Sequence, residues 1–341
     1  MELFISKEPF KLENGTVLPE VKIAYHTYGT LNEARNNVVW ICHALTANSD
    51  PMEWWPSLLE EHHAIDTSQY FIVCANILGS CYGTTGPMDI DPATSKPYYS
   101  NFPFITIRDV VKGHQLLVRK LVISGIDLLI GASMGGYQAL EWVVVEKNFI
   151  RRLFLLATSA IESAWGIAIH ASQRLAIETD ITFGQPIEEA GKKGLIAARA
   201  IGMITYRNFI TYQKMQGETD LDKSDHFKAA SYIEYQGKKL ADRFNAYSYW
   251  ILTKAMDSHN LSRNRNVSLD SLLREIEQPT LIIGITTDIL CPVSQQQFLA
   301  ENIPNSKLVE IDSDYGHDGF LVEGKRIAPI LKNWMRDSAL S

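Results

Sequence analysis

The sequence predicts an α/β fold, a mostly parallel sheet flanked by helices and carrying a helical lid insertion. Three observations lead there. Short runs such as Val-Val-Trp-Ile-Cys at 38–42, Leu-Leu-Ile-Gly at 128–131 and Leu-Ile-Ile-Gly-Ile at 281–285 are apolar almost throughout. Continuous apolarity suits strands covered on both faces, as in a parallel sheet between helices. Segments of helical length and period separate these runs, which is the α/β alternation. The alternation then stops near Thr158 and resumes near Gln278.

Strands are expected at 21–27, 38–42, 71–76, 127–131, 153–157, 280–285 and 307–311. Helices are expected at 107–121 and 134–146 between them. The interruption reads as helical, with segments at 163–178, 188–205 and 242–256 and a return linker at Asn264-Arg265-Asn266. The expected division is therefore a core formed by residues 1–159 and 267–341, with residues 160–266 as a lid. The insertion is rich in rings, including Trp165, Tyr206, Tyr212, Tyr247 and Trp250. Most such rings pack a helical layer on itself or on a partner.

Composition narrows the function. The chain has 341 residues, 46% hydrophobic and 21% charged, which suits a globular enzyme-sized domain and excludes a disordered or fibrous chain. Its net charge of −7 and its lack of a Lys/Arg run argue against a polyanion partner, so no nucleic acid is expected. Cys42, Cys74, Cys81 and Cys291 show no metal or disulfide spacing. No apolar stretch reaches the ~20 residues of a membrane span, and the start lacks a secretory apolar region. The expectation is a soluble cytoplasmic protein with no metal. Neither a dinucleotide fingerprint nor a P-loop is present, and the Gly-rich stretch 79–87 lacks the P-loop lysine.

The strongest chemical signal is Gly131-Ala132-Ser133-Met134-Gly135-Gly136, between an apolar run and a helical segment. Strand, G-x-S-x-G, helix is a nucleophile elbow, which lifts a serine hydroxyl above the sheet and aims a helix N-terminus at it. Such a serine needs a base held by an acid, in the order Ser, Asp or Glu, His. His317 follows the last expected strand, and Asp288 follows the one before it. Ligands of open α/β sheets bind at these carboxyl ends. The predicted catalytic set is thus Ser133, Asp288 and His317. His226 and His259 are expected at the lid surface, and His170 has the same reading. The oxyanion hole should combine the N–H of Met134 with one near Leu45, in the loop after strand 38–42. His43 reads as a structural loop residue.

These residues sit in stretches that resemble the homoserine O-acyltransferases, chiefly the homoserine O-acetyltransferases, of the α/β-hydrolase superfamily. The stretches are AYHTYGTL (24–31), HALT (43–46), NILGSCYGTTGP (76–87), TIRDV (106–110), GASMGGYQALEW (131–142), residues 231–257 and YGHDGFL (315–321), so the resemblance spans essentially the whole chain. Two positions depart from the family: Ser80 replaces a glycine and Thr84 a serine. The resemblance implies the α/β-hydrolase fold and acyl transfer from acyl-CoA to the hydroxyl of L-homoserine, in methionine biosynthesis. It implies acetyl-CoA as a substrate, no permanently bound cofactor, and a homodimer formed through the lid. It carries Ser133, Asp288 and His317 over as the triad and Leu45 and Met134 as oxyanion donors. Arg199 and Tyr206 carry over as residues that hold the amino acid, and Asp318 as the partner of its ammonium. The chemistry agrees, since a guanidinium binds a carboxylate bidentately and a carboxylate suits an ammonium. The loop 43–48 bears no cation for a succinyl carboxylate, which favours an acetyl donor. The alternatives are a serine esterase on the same fold, an acyltransferase using succinyl-CoA or serine, and a catalytically silent binding protein.

Overall fold

The computed structural model describes residues 1–59 and 64–338. Eight strands form the main sheet: β1 (Glu2–Ser6), β2 (Val21–Tyr28), β3 (Val38–Cys42), β4 (Phe71–Ala75), β5 (Ile126–Ala132), β6 (Leu153–Leu156), β7 (Thr280–Ile285) and β8 (Ser306–Ile311). Their spatial order is β1-β2-β4-β3-β5-β6-β7-β8. The β1–β2 and β2–β4 pairs are antiparallel, and the remaining pairs are parallel. The sheet is therefore mostly parallel, as the continuous apolar runs predict. β3, β5, β6 and β7 are buried at every residue.

Burial on both faces follows from the pleat. Val38, Trp40 and Cys42 pack with Leu129 and Leu155 on one side. Val39 and Ile41 pack with Leu128, Ile130 and Phe154 on the other. The first face is covered by α1 (Ile107–Leu121) and α2 (Met134–Val145). Trp142 of α2 meets Trp40 of β3 edge-on at 5.0 Å. A capping box fixes the start of α1: the Thr106 hydroxyl accepts from the Asp109 N–H, and Asp109 accepts from the Thr106 N–H.

No strand of the main sheet lies between β6 and β7 among the described residues. That stretch holds α3 (Ala164–Glu178), α4 (Lys192–Tyr206), α5 (Phe209–Gln216), α6 (Lys228–Ala241) and α7 (Ala246–Asp257). Its ends meet where Ile161 bridges Asn260 in antiparallel fashion. Beyond this stretch the sheet's cover includes α8 (Val293–Asn302) and α9 (Gly324–Asp337), with Leu331 and Trp334 of α9 in the second core. No helix among the described residues is long and apolar enough to cross a membrane.

Candidate active site

Ser133 occupies the turn between β5 and α2, with φ 54° and ψ −127°. A left-handed φ at a non-glycine residue costs about 1–3 kcal/mol and persists only where surrounding bonds hold it. Here the Ser133 N–H donates to Leu156 O (3.0 Å), while Ser133 O accepts from the Gly136 N–H (2.9 Å) and the Thr158 hydroxyl (2.8 Å). The flanking glycines are steric necessities. A Cβ on Gly131 would sit 2.3 Å from Gly135 O, and one on Gly135 would sit 2.0 Å from Cys42 O.

The loops after β7 and β8 bring the other two residues to the serine. His317 lies in a single 3-10 turn, Gly316–Asp318, just past β8. The Gly316 N–H donates to the Thr287 hydroxyl (3.1 Å), which ties the two loops together. The Ser133 Oγ to His317 Nε2 distance is 2.8 Å, and His317 Nδ1 to Asp288 Oδ2 is 2.7 Å. The second oxygen, Asp288 Oδ1, accepts from the N–H groups of Leu290 (2.8 Å) and Cys291 (2.9 Å). The carboxylate beside Nδ1 puts the imidazole proton there, leaving Nε2 to accept from the serine hydroxyl. Burial disfavours the imidazolium of His317, yet the charge and hydrogen bond of Asp288 outweigh it and hold the pKa above the ordinary 6.5. Asp312 and Asp314 take no part, since they pair with the Thr286 hydroxyl and with Lys214.

Ser133 and His317 line a cavity of about 190 Å³ together with Leu45, Arg199, Tyr206 and Asp318. Neither the Leu45 nor the Met134 N–H has a protein acceptor among the described residues. The loop carrying Leu45 is anchored by His43, whose Nδ1–H donates to Ala44 O (2.9 Å) and whose Nε2 accepts from the Ile77 N–H (3.3 Å). Burial outweighs the Ala44 bond and depresses the His43 pKa to about 4, so this ring is a neutral fixture.

The structure places Arg199, Tyr206 and Asp318 in the lining of the same cavity. The Arg199 guanidinium stands 5.2 Å from the Tyr206 ring centre, and that ring is 6.0 Å from His317. The buried Arg199 Nε has no partner among the described residues. Asp318, however, already has a cation: Arg207 Nε is 2.8 Å from its Oδ2. Burial raises the Asp318 pKa, while Arg207, Arg199 and His317 pull against that rise. Arg207 is absent from the sequence reading, although its place directly after Tyr206 was the available signal.

Two histidine expectations need correction. His226 is 92% exposed in its side chain, as expected of a surface residue. His259 is instead buried, stacked on Tyr137 at 4.0 Å with Nε2 beside Ser159 O (3.1 Å). His170 is also buried and lines the cavity, with Nδ1 2.8 Å from Asp257 Oδ1. Asp288, Cys291 and His317 offer ligand atoms within 4.8 Å of one another. Both oxygens of Asp288 and both nitrogens of His317 are already engaged, and burial followed by the charge of Asp288 pushes the Cys291 thiol upward, so these three do not make a prepared metal site.

Comparison with known proteins shows the family of the chain. Residues 37–324 match the family model described as alpha/beta hydrolase fold. The homoserine O-acetyltransferase of Cyclobacterium marinum is 45% identical over 98% of this chain and 94% of its own length. The crystal structure of homoserine O-acetyltransferase from Bacillus anthracis superposes with TM-score 0.91, at 26% identity over 98% of this chain and 96% of that one. The crystal structure of esterase E22 gives TM-score 0.88 at 24% identity over 98% and 99% of the two chains, a likeness of fold alone. The chain belongs to the homoserine O-acetyltransferase family, on the α/β-hydrolase fold.

Proposed function

We propose that the protein is an acetyl-CoA:L-homoserine O-acetyltransferase that works through an acyl-Ser133 intermediate. One observation carries the reading. The Ser133–His317–Asp288 hydrogen-bonded series opens into the same cavity as Arg199, Tyr206 and Asp318, in a chain 45% identical to a homoserine O-acetyltransferase. In this reading His317 Nε2 takes the serine proton, and Oγ attacks the thioester carbonyl. The Leu45 and Met134 N–H groups receive the oxyanion, the thioester C–S bond breaks, and the coenzyme A thiolate leaves with the proton from His317. Homoserine then enters against Arg199, Tyr206 and Asp318. His317 removes the homoserine hydroxyl proton and the homoserine oxygen attacks the acyl carbonyl; the Ser133 Oγ–acyl bond then breaks, and Oγ takes the proton back from His317. No permanently bound cofactor takes part. Product formation by this route serves methionine biosynthesis, in a cytoplasmic enzyme.

The helical stretch 160–266 acts in this proposal as a lid over the core of residues 1–159 and 267–341. Positioning of an acceptor hydroxyl is worth effective molarities of ~10⁵ M or more, enough to outrun water. The stretch leaves Leu175, Phe209, Met215 and Leu221 exposed, which supports a homodimer of this chain through the lid. The missing cation of loop 43–48 does not by itself select the donor, because Arg243 of the insertion reaches that loop. Acetyl rests on the relatives' activity. The deciding experiment is a panel of homoserine and serine against acetyl-, propionyl- and succinyl-CoA, each with a control lacking acceptor. Transfer to homoserine from acetyl-CoA is expected. Rapid coenzyme A release that homoserine does not accelerate makes the protein a hydrolase.

A further inference from the structure

The loop that carries Leu45 is braced from the helical stretch. Several of its carbonyls have protein donors: His43 O accepts from Gln138 Nε2 (3.2 Å), Ala44 O from the His43 ring (2.9 Å) and Asn48 O from Trp54 Nε1 (3.0 Å). The partner of Thr46 O, one residue beyond Leu45, comes from elsewhere in the fold. It is Arg243 Nη1, at 2.7 Å, from the turn joining α6 to α7. The same nitrogen donates its other hydrogen to the Tyr82 hydroxyl. Tyr82 is itself fixed to the core, because its carbonyl accepts from Asn76 Nδ2 (2.8 Å), which also donates to Ser49 Oγ (2.8 Å). One guanidinium nitrogen thus joins the insertion, the 79–87 loop and the backbone beside Leu45. Arg243 also borders both the active-site cavity and the neighbouring cleft over Phe244 and Ala246.

We propose that Arg243 is a positioning residue for the oxyanion hole: it fixes the Thr46 carbonyl, and by restraining that end of the loop it holds the Leu45 N–H, two peptide units back, in the place the tetrahedral intermediate requires. The inference rests on the reading of Leu45 as an oxyanion donor. Its physical basis is that a preorganised donor stabilises charge without reorganising at the moment of reaction, whereas a mobile loop must be ordered first. The guanidinium holds its hydrogens in one plane at the end of a longer side chain, whereas a lysine ammonium has enough hydrogens but a shorter reach and no fixed plane, so lysine reproduces the charge and only part of the positioning.

The test compares Arg243→Ala, Arg243→Lys and wild type by the rate at which a fluorophosphonate labels Ser133, by kcat and KM with p-nitrophenyl acetate and with acetyl-CoA, and by thermal midpoint. Neither the fluorophosphonate nor the p-nitrophenyl ester carries coenzyme A, so they report the oxyanion hole apart from donor binding. Removing an oxyanion donor outright costs ~10²–10³ in rate, so loosening one should cost Arg243→Ala about 10–100-fold in labelling and in kcat with both esters. Arg243→Lys should recover part of that loss, with KM for p-nitrophenyl acetate little changed. Unaltered labelling in Arg243→Ala overturns the proposal. So does a change confined to KM for acetyl-CoA, which would make Arg243 a coenzyme contact. A loss that matches the loss of folded protein, with Arg243→Lys no better than Arg243→Ala, also overturns it. Wild-type protein that resists labelling altogether would instead sink the acyl-serine reading on which the inference stands.

Discussion

Replacing Asp288 by asparagine removes one charge and changes one donor, and the site dictates how the new amide must lie. The N–H groups of Leu290 and Cys291 point at Oδ1 from 2.8 and 2.9 Å, so the amide oxygen stays there. The amide nitrogen then takes the place of Oδ2, 2.7 Å from His317 Nδ1. An amide NH₂ only donates, so Nδ1 must accept and the ring proton moves to Nε2. That nitrogen is 2.8 Å from Ser133 Oγ and would now donate to the serine rather than accept from it. Base catalysis would need the disfavoured tautomer. The expected loss is about 10⁴ in kcat, or ~5.4 kcal/mol of barrier, with the fold retained. The pH profile should move as well. Activity needs neutral His317, so it falls as pH drops through the histidine pKa, which Asp288 holds above 6.5 against burial. Without that carboxylate, burial is opposed only by the more distant charges of Asp318 and Glu162, and the acid limb should shift to lower pH. Following coenzyme A thiol release against pH, for wild type and Asp288→Asn, measures both effects. Activity within tenfold of wild type, or an acid limb that does not move, would refute the argument.

Three other substitutions probe separate parts of the account. Ser133→Ala should lower kcat by ~10⁴–10⁶ with an unchanged thermal midpoint, and more than a few per cent of residual activity would place the nucleophile elsewhere. Arg199→Ala should raise KM for homoserine by ~2–5 kcal/mol of lost binding and spare acylation by p-nitrophenyl acetate, whereas a rise only in the acyl-CoA KM would move Arg199 to the coenzyme side. Gly135→Ala drives a Cβ to 2.0 Å from Cys42 O, a backbone atom that cannot swing aside, so melting should show a loss of ~1–3 kcal/mol or more together with lost activity.

The central sheet was legible because buried parallel strands have no polar face to blur the pattern, as in β3 and β7. The elbow was legible because G-x-S-x-G stands as a local pattern between an apolar run and a helical segment, although what makes Gly135 necessary, Cys42 O, lies far away in sequence. β1 was not foreseen: it is a short antiparallel edge strand in which only Ser6 is buried. The helices α5 and α6 escaped for a related reason, since each has few buried residues to mark its face. His170 and His259 looked like surface residues because what buries them is distant in sequence. His170 meets Asp257 87 positions later, and His259 meets Ser159 100 positions earlier. Arg243 had no local signal at all, because its acceptor on Thr46 lies 197 positions away. Arg199, Tyr206 and Asp318 were named through family resemblance, and the ion pair between Arg207 and Asp318 appears only once the chain is folded.

The covalent intermediate can be sought directly. Mixing the protein with acetyl-CoA in the absence of acceptor, quenching in acid and measuring its intact mass and its peptides reports whether an acetyl group resides on the chain and where. The account predicts one acetyl group on the peptide bearing Ser133, absent from Ser133→Ala and discharged by homoserine faster than by water, with parallel lines in double-reciprocal plots of the two substrates. Full transferase activity with no acetylated peptide, and intersecting lines, would contradict it.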